Sequence, residues 1–227
     1  MTYYPDVIGE LETMRQVVAG ASLARYGDGE FKMCEGSSIK SQVHHPALQR
    51  RLRAILVESG SCLVGIPNIR SNTPKADFWG PHMRFHPLLW YRPYYSAFVS
   101  RPDSAPWIDT PAYWDLVESL WKGQDVTLVG GSHKSLAPAD LASASSVTHI
   151  LCPKQHAYAE YDAIMARIGT PKRAILCLGP TATVMAVDLC AKGVHAIDLG
   201  HLGIFLRKHR AGLPMWLSKD DKSQATL

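Results

Sequence analysis
RAILCLGPTATVMAVDLCAKGVHAIDLGH, residues 173–201, decides how this chain folds. Residues 173–178 form an apolar run that stops at Gly179-Pro180. Residues 181–192 then read as a helix, and 194–199 return to an apolar run. Strand, helix, strand at this spacing is a βαβ unit, with parallel strands and a right-handed crossover. The same rhythm extends upstream. Helix 110–122 leads into strand 125–130 (DVTLVG), and a loop with a short helix leads to strand 147–152 (VTHILC). Helix 157–168 then leads back to 173. The expectation is an α/β fold whose mostly parallel sheet is flanked by helices.

The first half is less regular. Ile8, Leu11, Met14, Val17 and Val18 have helical spacing over 8–19. Ser22 to Tyr26 reads as a short strand stopped by Gly27-Asp28-Gly29. Helix 46–58 carries Leu48, Leu52, Ile55 and Leu56 on one face, and SCLVGIP, residues 61–67, is a buried strand ended by proline. Residues 68–109 are rich in Pro, Trp, Tyr, Arg and His without a clean period. They are expected to be an irregular helical and loop insertion in a single domain spanning 1–227.

Composition sets outer limits. At 46% apolar and 19% charged residues, the chain can bury a core and is not of disordered type. The net charge of +4 suits a polyphosphate or an acidic acceptor and does not require nucleic acid. No apolar run reaches membrane-span length, and Met1 to Asp6 show no basic-then-apolar leader, so a cytoplasmic protein is expected. The five cysteines include no C-x-x-C pair and read as reduced, buried thiols.

In parallel sheets, ligands sit beyond the carboxyl ends of the strands. Four loops there carry chemistry. Arg25-Tyr26-Gly27-Asp28-Gly29-Glu30 places two carboxylates two residues apart; in an extended segment both point the same way and offer hard oxygens to Mg²⁺ or Mn²⁺. Gly27 and Gly29 permit close backbone approach, although Gly-Asp-Gly is also ordinary turn chemistry. Gly179-Pro180-Thr181 opens a helix whose free N–H groups suit a phosphate, or simply cap it. Asp198 and His201 stand at the mouth of the last strand, suited to moving a proton or binding phosphate or metal. Gly130-Gly131-Ser132-His133-Lys134 resembles a phosphate cradle. The chain lacks the P-loop spacing, a G-x-G-x-x-G after a strand, a G-x-S-x-G elbow and an H-E-x-x-H helix.

RYGDGEF, residues 25–31, followed far downstream by LGPTATVMAVDLCAKGVHAIDLGH, residues 178–201, resembles the GT-D fold glycosyltransferases, earlier catalogued as a domain of unknown function. Cys152-Pro153 followed by Tyr158 to Asp162 also looks like that family. The resemblance covers nearly the whole chain. It implies a Rossmann-like domain, a nucleotide-diphosphate sugar donor (a UDP-sugar above all), Mn²⁺ or Mg²⁺, and a glycan, lipid-linked or other hydroxyl acceptor. Polysaccharide biosynthesis is the setting it suggests. It associates Asp28 and Glu30 with the metal and the donor diphosphate, and Arg25, Gly179, Pro180, Thr181 and His201 match family positions around the donor. After Gly-His the family continues with acidic and aromatic residues, whereas this chain has Leu202-Gly203-Ile204-Phe205-Leu206-Arg207-Lys208-His209-Arg210. Bases there would suit an anionic acceptor, nucleic acid among them, or simply end a helix. Candidate bases for the acceptor proton are Asp198, His201 and the His82–His86 region, with the aromatics from Trp79 to Tyr95 as an acceptor platform. A non-catalytic nucleotide-sugar or polysaccharide binder, a nucleotidase or phosphatase, and a nucleic-acid-glycosylating enzyme are the alternatives.

Overall fold
The computed structural model describes residues 4–217, so Met1–Tyr3, part of the opening stretch read for a leader, lie outside the described residues. In chain order the strands are β1 (Val7–Ile8), β2 (Leu23–Arg25), β3 (Leu63–Ile66), β4 (Tyr94–Ser96), β5 (Asp125–Gly130), β6 (Ser146–Leu151), β7 (Arg173–Cys177) and β8 (His195–Asp198). The helices are α1 (Glu10–Val18), α2 (Asp28–Cys34), α3 (Pro46–Val57), α4 (Ala76–Trp79), α5 (Pro111–Ser119), α6 (Tyr161–Ile168), α7 (Pro180–Ala191) and α8 (Leu202–Arg210). The strands form one sheet in the order β1-β4-β3-β2-β8-β7-β5-β6, and every described pairing is parallel. The 173–201 register follows the βαβ reading, with Ala174 opposite Ala196 and Leu176 opposite Asp198.

Both faces of the sheet are covered. One carries α1, α5 and α8, whose Met14, Trp114 and Phe205 join Ile175 and Ile197 of the sheet in one apolar cluster. The other carries α2, α3, α6 and α7, packed through two clusters centred on Met185 and Leu189, and on Phe31 and Leu52. Helix α7 is buried from Pro180 through Ala186 because it touches the sheet on one side and α3 on the other. That explains its continuous apolar composition. At the sheet's centre β2 feeds α2 on one face while its neighbour β8 feeds α8 on the opposite face. Loops leaving in opposite directions open a crevice at the carboxyl ends.

Three elements depart from the sequence expectation. β1 and β4 are two and three residues long, too short for an alternation to register, and they pair with each other near the sheet edge. Apart from β4, the stretch 68–109 holds the short α4 and 3₁₀ turns expected of an irregular helical insertion. The third departure is α2, which begins at the Asp28 expected in an extended segment. No helix among the described residues is long and apolar enough to cross a membrane.

Candidate active site
The segment after β2 coils at once because Glu30 reaches back. Its Oε2 accepts the Gly27 N–H at 2.7 Å, a capping contact that starts α2. Asp28 and Glu30 are therefore helical neighbours about 200° apart around the axis, not same-face residues of a strand. Asp28 faces the open cavity and lies 3.1 Å from Lys32 Nζ. Glu30 is buried, and burial pushes its carboxyl up to about 7; Gly27's N–H pulls the other way and repulsion from Asp198 and Asp28 adds to the rise.

Arg25 ties the central strands together. Its Nε donates to Asp198 O at 2.6 Å and its Nη2 to Asp198 Oδ1 at 3.1 Å. Nη1 donates to Ala97 O at 3.2 Å and to Ser100 Oγ. With most of its five N–H groups engaged by protein, Arg25 offers a bound anion charge more than open donors. Asp198 is buried; desolvation raises its pKa and Arg25 opposes that rise.

At the end of β7 the chain turns through Gly179, whose φ of +56° and ψ of −140° are reserved for glycine, and Pro180 starts α7. Thr183 Oγ1 donates to Arg25 O at 2.9 Å, fixing the start of α7 beside β2. The hydroxyl of Thr181 is buried with no hydrogen-bond partner among the described residues. His201 precedes α8 and lines the crevice with its side chain exposed to it. Desolvation there, then Arg101, Lys134 and Arg25, press its pKa down to about 3. The site thus holds a neutral imidazole among cations.

These loops meet around one cavity of about 520 Å³, a size suited to a small ligand. Arg25, Gly27, Asp28, Gly29, Glu30, Lys134, Gly179, Pro180, Asp198 and His201 all line it. Gly130 and Thr181 stand behind the wall; Gly131 to Ser135 form it instead. The sequence reading missed Lys32, the 38–41 turn, residues 153–155 and Arg101. Arg101 is held by Asp103, whose carboxylate takes its Nε and Nη2 at 2.8 Å each and pairs with Lys75 as well. Burial pushes the Asp103 pKa up, and these two cations more than reverse that. No local signal in Arg101-Pro102-Asp103 announces this role. Among the described residues no group of three or more His, Cys, Asp or Glu side chains could hold a metal, so a cation here would rest on Asp28, the carboxylate that faces the cavity, plus ligand oxygens, with Glu30 behind it.

Two expectations need correction. Trp79, Phe85 and Tyr94 are core residues, Trp90 and Tyr91 are exposed away from the cavity wall, and of the 68–109 stretch Arg101 alone is among the cavity-lining residues. His82 is packed between Trp79 and Phe85, at ring separations of 4.9 and 5.5 Å, away from the cavity wall. The bases after His201 do not face the cavity either. Arg207 and Arg210 turn to Asp140, and His209 stacks on Trp114 at 4.4 Å. Arg207 and Lys208 also line a second pocket, which shares Ser132, His133 and Ser135 with the first.

An all-parallel α/β sheet with a cation-rich, carboxylate-bearing crevice at its switch point defines a protein of the open α/β class that binds ligands beyond the carboxyl ends of its strands. Residues 23–222 match the family described as "Glycosyltransferase GT-D fold", and the chain belongs to that family. It is 33% identical over 205 residues to "Probable glycosyl transferase Gly" of Streptococcus gordonii, covering 81% of this chain and 30% of that protein. It is 32% identical over 218 residues to "Glycosyltransferase GlyD" of Streptococcus pneumoniae serotype 4, covering 87% and 27% respectively. The chain thus spans under a third of the length of these curated relatives. Among solved structures, "A New Glycosyltransferase (DUF1792) from Streptococcus sanguinis" superposes with a TM-score of 0.84 at 26% identity, covering 98% of this chain and 93% of that one. "The highly conserved domain of unknown function 1792 has a distinct glycosyltransferase fold" superposes at 0.81 with 28% identity, covering 96% and 94%.

Proposed function
We propose that this chain moves a sugar from a nucleotide-diphosphate donor, a UDP-sugar above all, to the hydroxyl of a glycan or lipid-linked acceptor. One observation carries this reading: the carboxylates at the start of α2 and the N-terminus of α7 open into the same cavity. The positive end of the α7 dipole and the charge of Lys134 and Arg25 suit the diphosphate. Asp28, with Glu30 behind it, would hold Mn²⁺ or Mg²⁺, which when bound neutralises charge growing on the leaving diphosphate.

The bond from the anomeric carbon to the diphosphate oxygen breaks, and a bond from that carbon to the acceptor oxygen forms, through an oxocarbenium-like state. The acceptor proton must go to a base. His201 opens to the cavity, whereas Asp198 is committed to Arg25. Desolvation is the main cause of the low His201 pKa, and a bound diphosphate would offset only the smaller part that Arg101, Lys134 and Arg25 contribute. Asp198 positions Arg25 and, through it, the floor of the site.

The test is turnover of a panel of nucleotide sugars with Mn²⁺. Asp28→Asn and Glu30→Gln should each lower turnover by about 10²-fold or more while the protein stays folded. Glutamine keeps an oxygen for Gly27's N–H, so α2 survives that change. Unchanged turnover in both variants discards the metal assignment. Donor binding without product points to a binder, and free phosphate without sugar transfer to a phosphatase.

A further inference from the structure
Arg207 lies in the stretch where the resembling family carries acids, and it does not reach the cavity. It reaches the loop that forms the cavity's far wall. Its guanidinium donates to the carbonyl oxygens of His133 and Ser135, the latter through both Nη atoms at 3.3 Å, and pairs with Asp140. Ile204 N–H, in the first turn of α8, donates to the Lys134 carbonyl oxygen at 3.2 Å. Three successive carbonyls of the 133–135 segment are therefore drawn onto α8.

The loop is pinned at both ends as well. A Cβ on Gly203 would meet Ser135 O at 2.1 Å, and one on Gly131 would meet Cys152 O at 2.0 Å. Only glycine lets these backbones touch. Asp140 is buried; it accepts Ala137 N–H at 2.9 Å and so anchors Arg207 to the end of the same loop.

We infer that Arg207 is a positioning residue for donor binding: it turns the 133–135 carbonyls away from the cavity so that the wall facing a diphosphate presents Ser132, His133 and Lys134 without opposing dipoles. This rests on the donor reading above. A carbonyl facing a phosphate repels it, and a loop without its clamp must be ordered at the moment of binding; both weaken ground-state and transition-state binding alike.

The experiment is calorimetry of UDP with Mn²⁺, and steady-state kinetics with the accepted donor, on the wild type, Arg207→Ala and Arg207→Lys. Arg207→Ala should weaken UDP binding and raise donor KM by about tenfold or more, with kcat within about threefold. Arg207→Lys should recover part of the loss, because one ammonium cannot span three acceptors in the guanidinium's fork. Amide exchange at 131–135 should quicken in Arg207→Ala without ligand. Unchanged UDP affinity and exchange overturns the inference, and so does a fall in kcat at constant KM. Should Arg207→Ala fail to fold, Arg207→Lys and Asp140→Asn carry the same comparison. A wild type that binds no UDP removes the donor reading and this inference together, and is told apart by the silence of the unmodified protein.

Discussion

Asp103 has no exposed side-chain surface, yet it carries a charge because Arg101 and Lys75 both reach it. Its folded pKa lies below the unfolded value of about 3.9. The pairing therefore contributes stability above that value, and the contribution is lost as pH falls through the folded pKa. Asp103→Asn should cost about 3 kcal/mol at pH 7, because it leaves Arg101 uncompensated. The gap to wild type should narrow in acid, and denaturant midpoints at pH 7 and in acid check both. None of this was legible in Arg101-Pro102-Asp103, because the partnership depends on where Lys75 and the cavity lie. Asp28 and Glu30 were legible as chemistry, since two carboxylates two residues apart at a strand end offer hard oxygens to a ligand or cation. Their relative orientation was not, because one hydrogen bond from Gly27 to Glu30 decides between extended and helical backbone.

Helix α7 shows what an element adds to its residues. Its N-terminus works as an anion site only if the chain enters at the angle Gly179 sets, with φ at +56°. Gly179→Ala should cost about 1–3 kcal/mol of stability from backbone strain. It should also weaken UDP binding, because relieving the strain moves the first N–H groups of the helix. Denaturant unfolding and calorimetry on the one variant measure the two effects. The element's existence was readable from its apolar run and its Gly-Pro start. Its burial on nearly every side was not, since a helix apolar all round reads the same whether it is central or merely hydrophobic. Packing against both the sheet and α3 settles that. For α8 the order is reversed. Its basic end invited a ligand reading, and tertiary contacts with Asp140 and Trp114 turned it into a clamp.

At the scale of the whole molecule the cavity joins segments far apart in sequence, so ligand binding is coupled to global stability. UDP with Mn²⁺ at about a hundred times its Kd should stabilise the fold by about 2.7 kcal/mol, raising Tm by about 5–10 °C for a chain of this size. A chelator should remove most of the rise if Asp28 and Glu30 hold the cation, and thermal scans with and without it read the difference. The sequence by itself determined the parallel α/β class, the order of its later strands and helices, and the loops at which a ligand sits. Those depend on local periodicity and on the handedness of βαβ crossovers, both written into consecutive residues. Only the tertiary structure decided that Arg101 joins the site, that Arg25 is a strut across β2 and β8, and that Arg207 serves a loop over seventy residues upstream. Those contacts form between residues that share no local pattern, because burial and charge pairing act through space rather than along the chain.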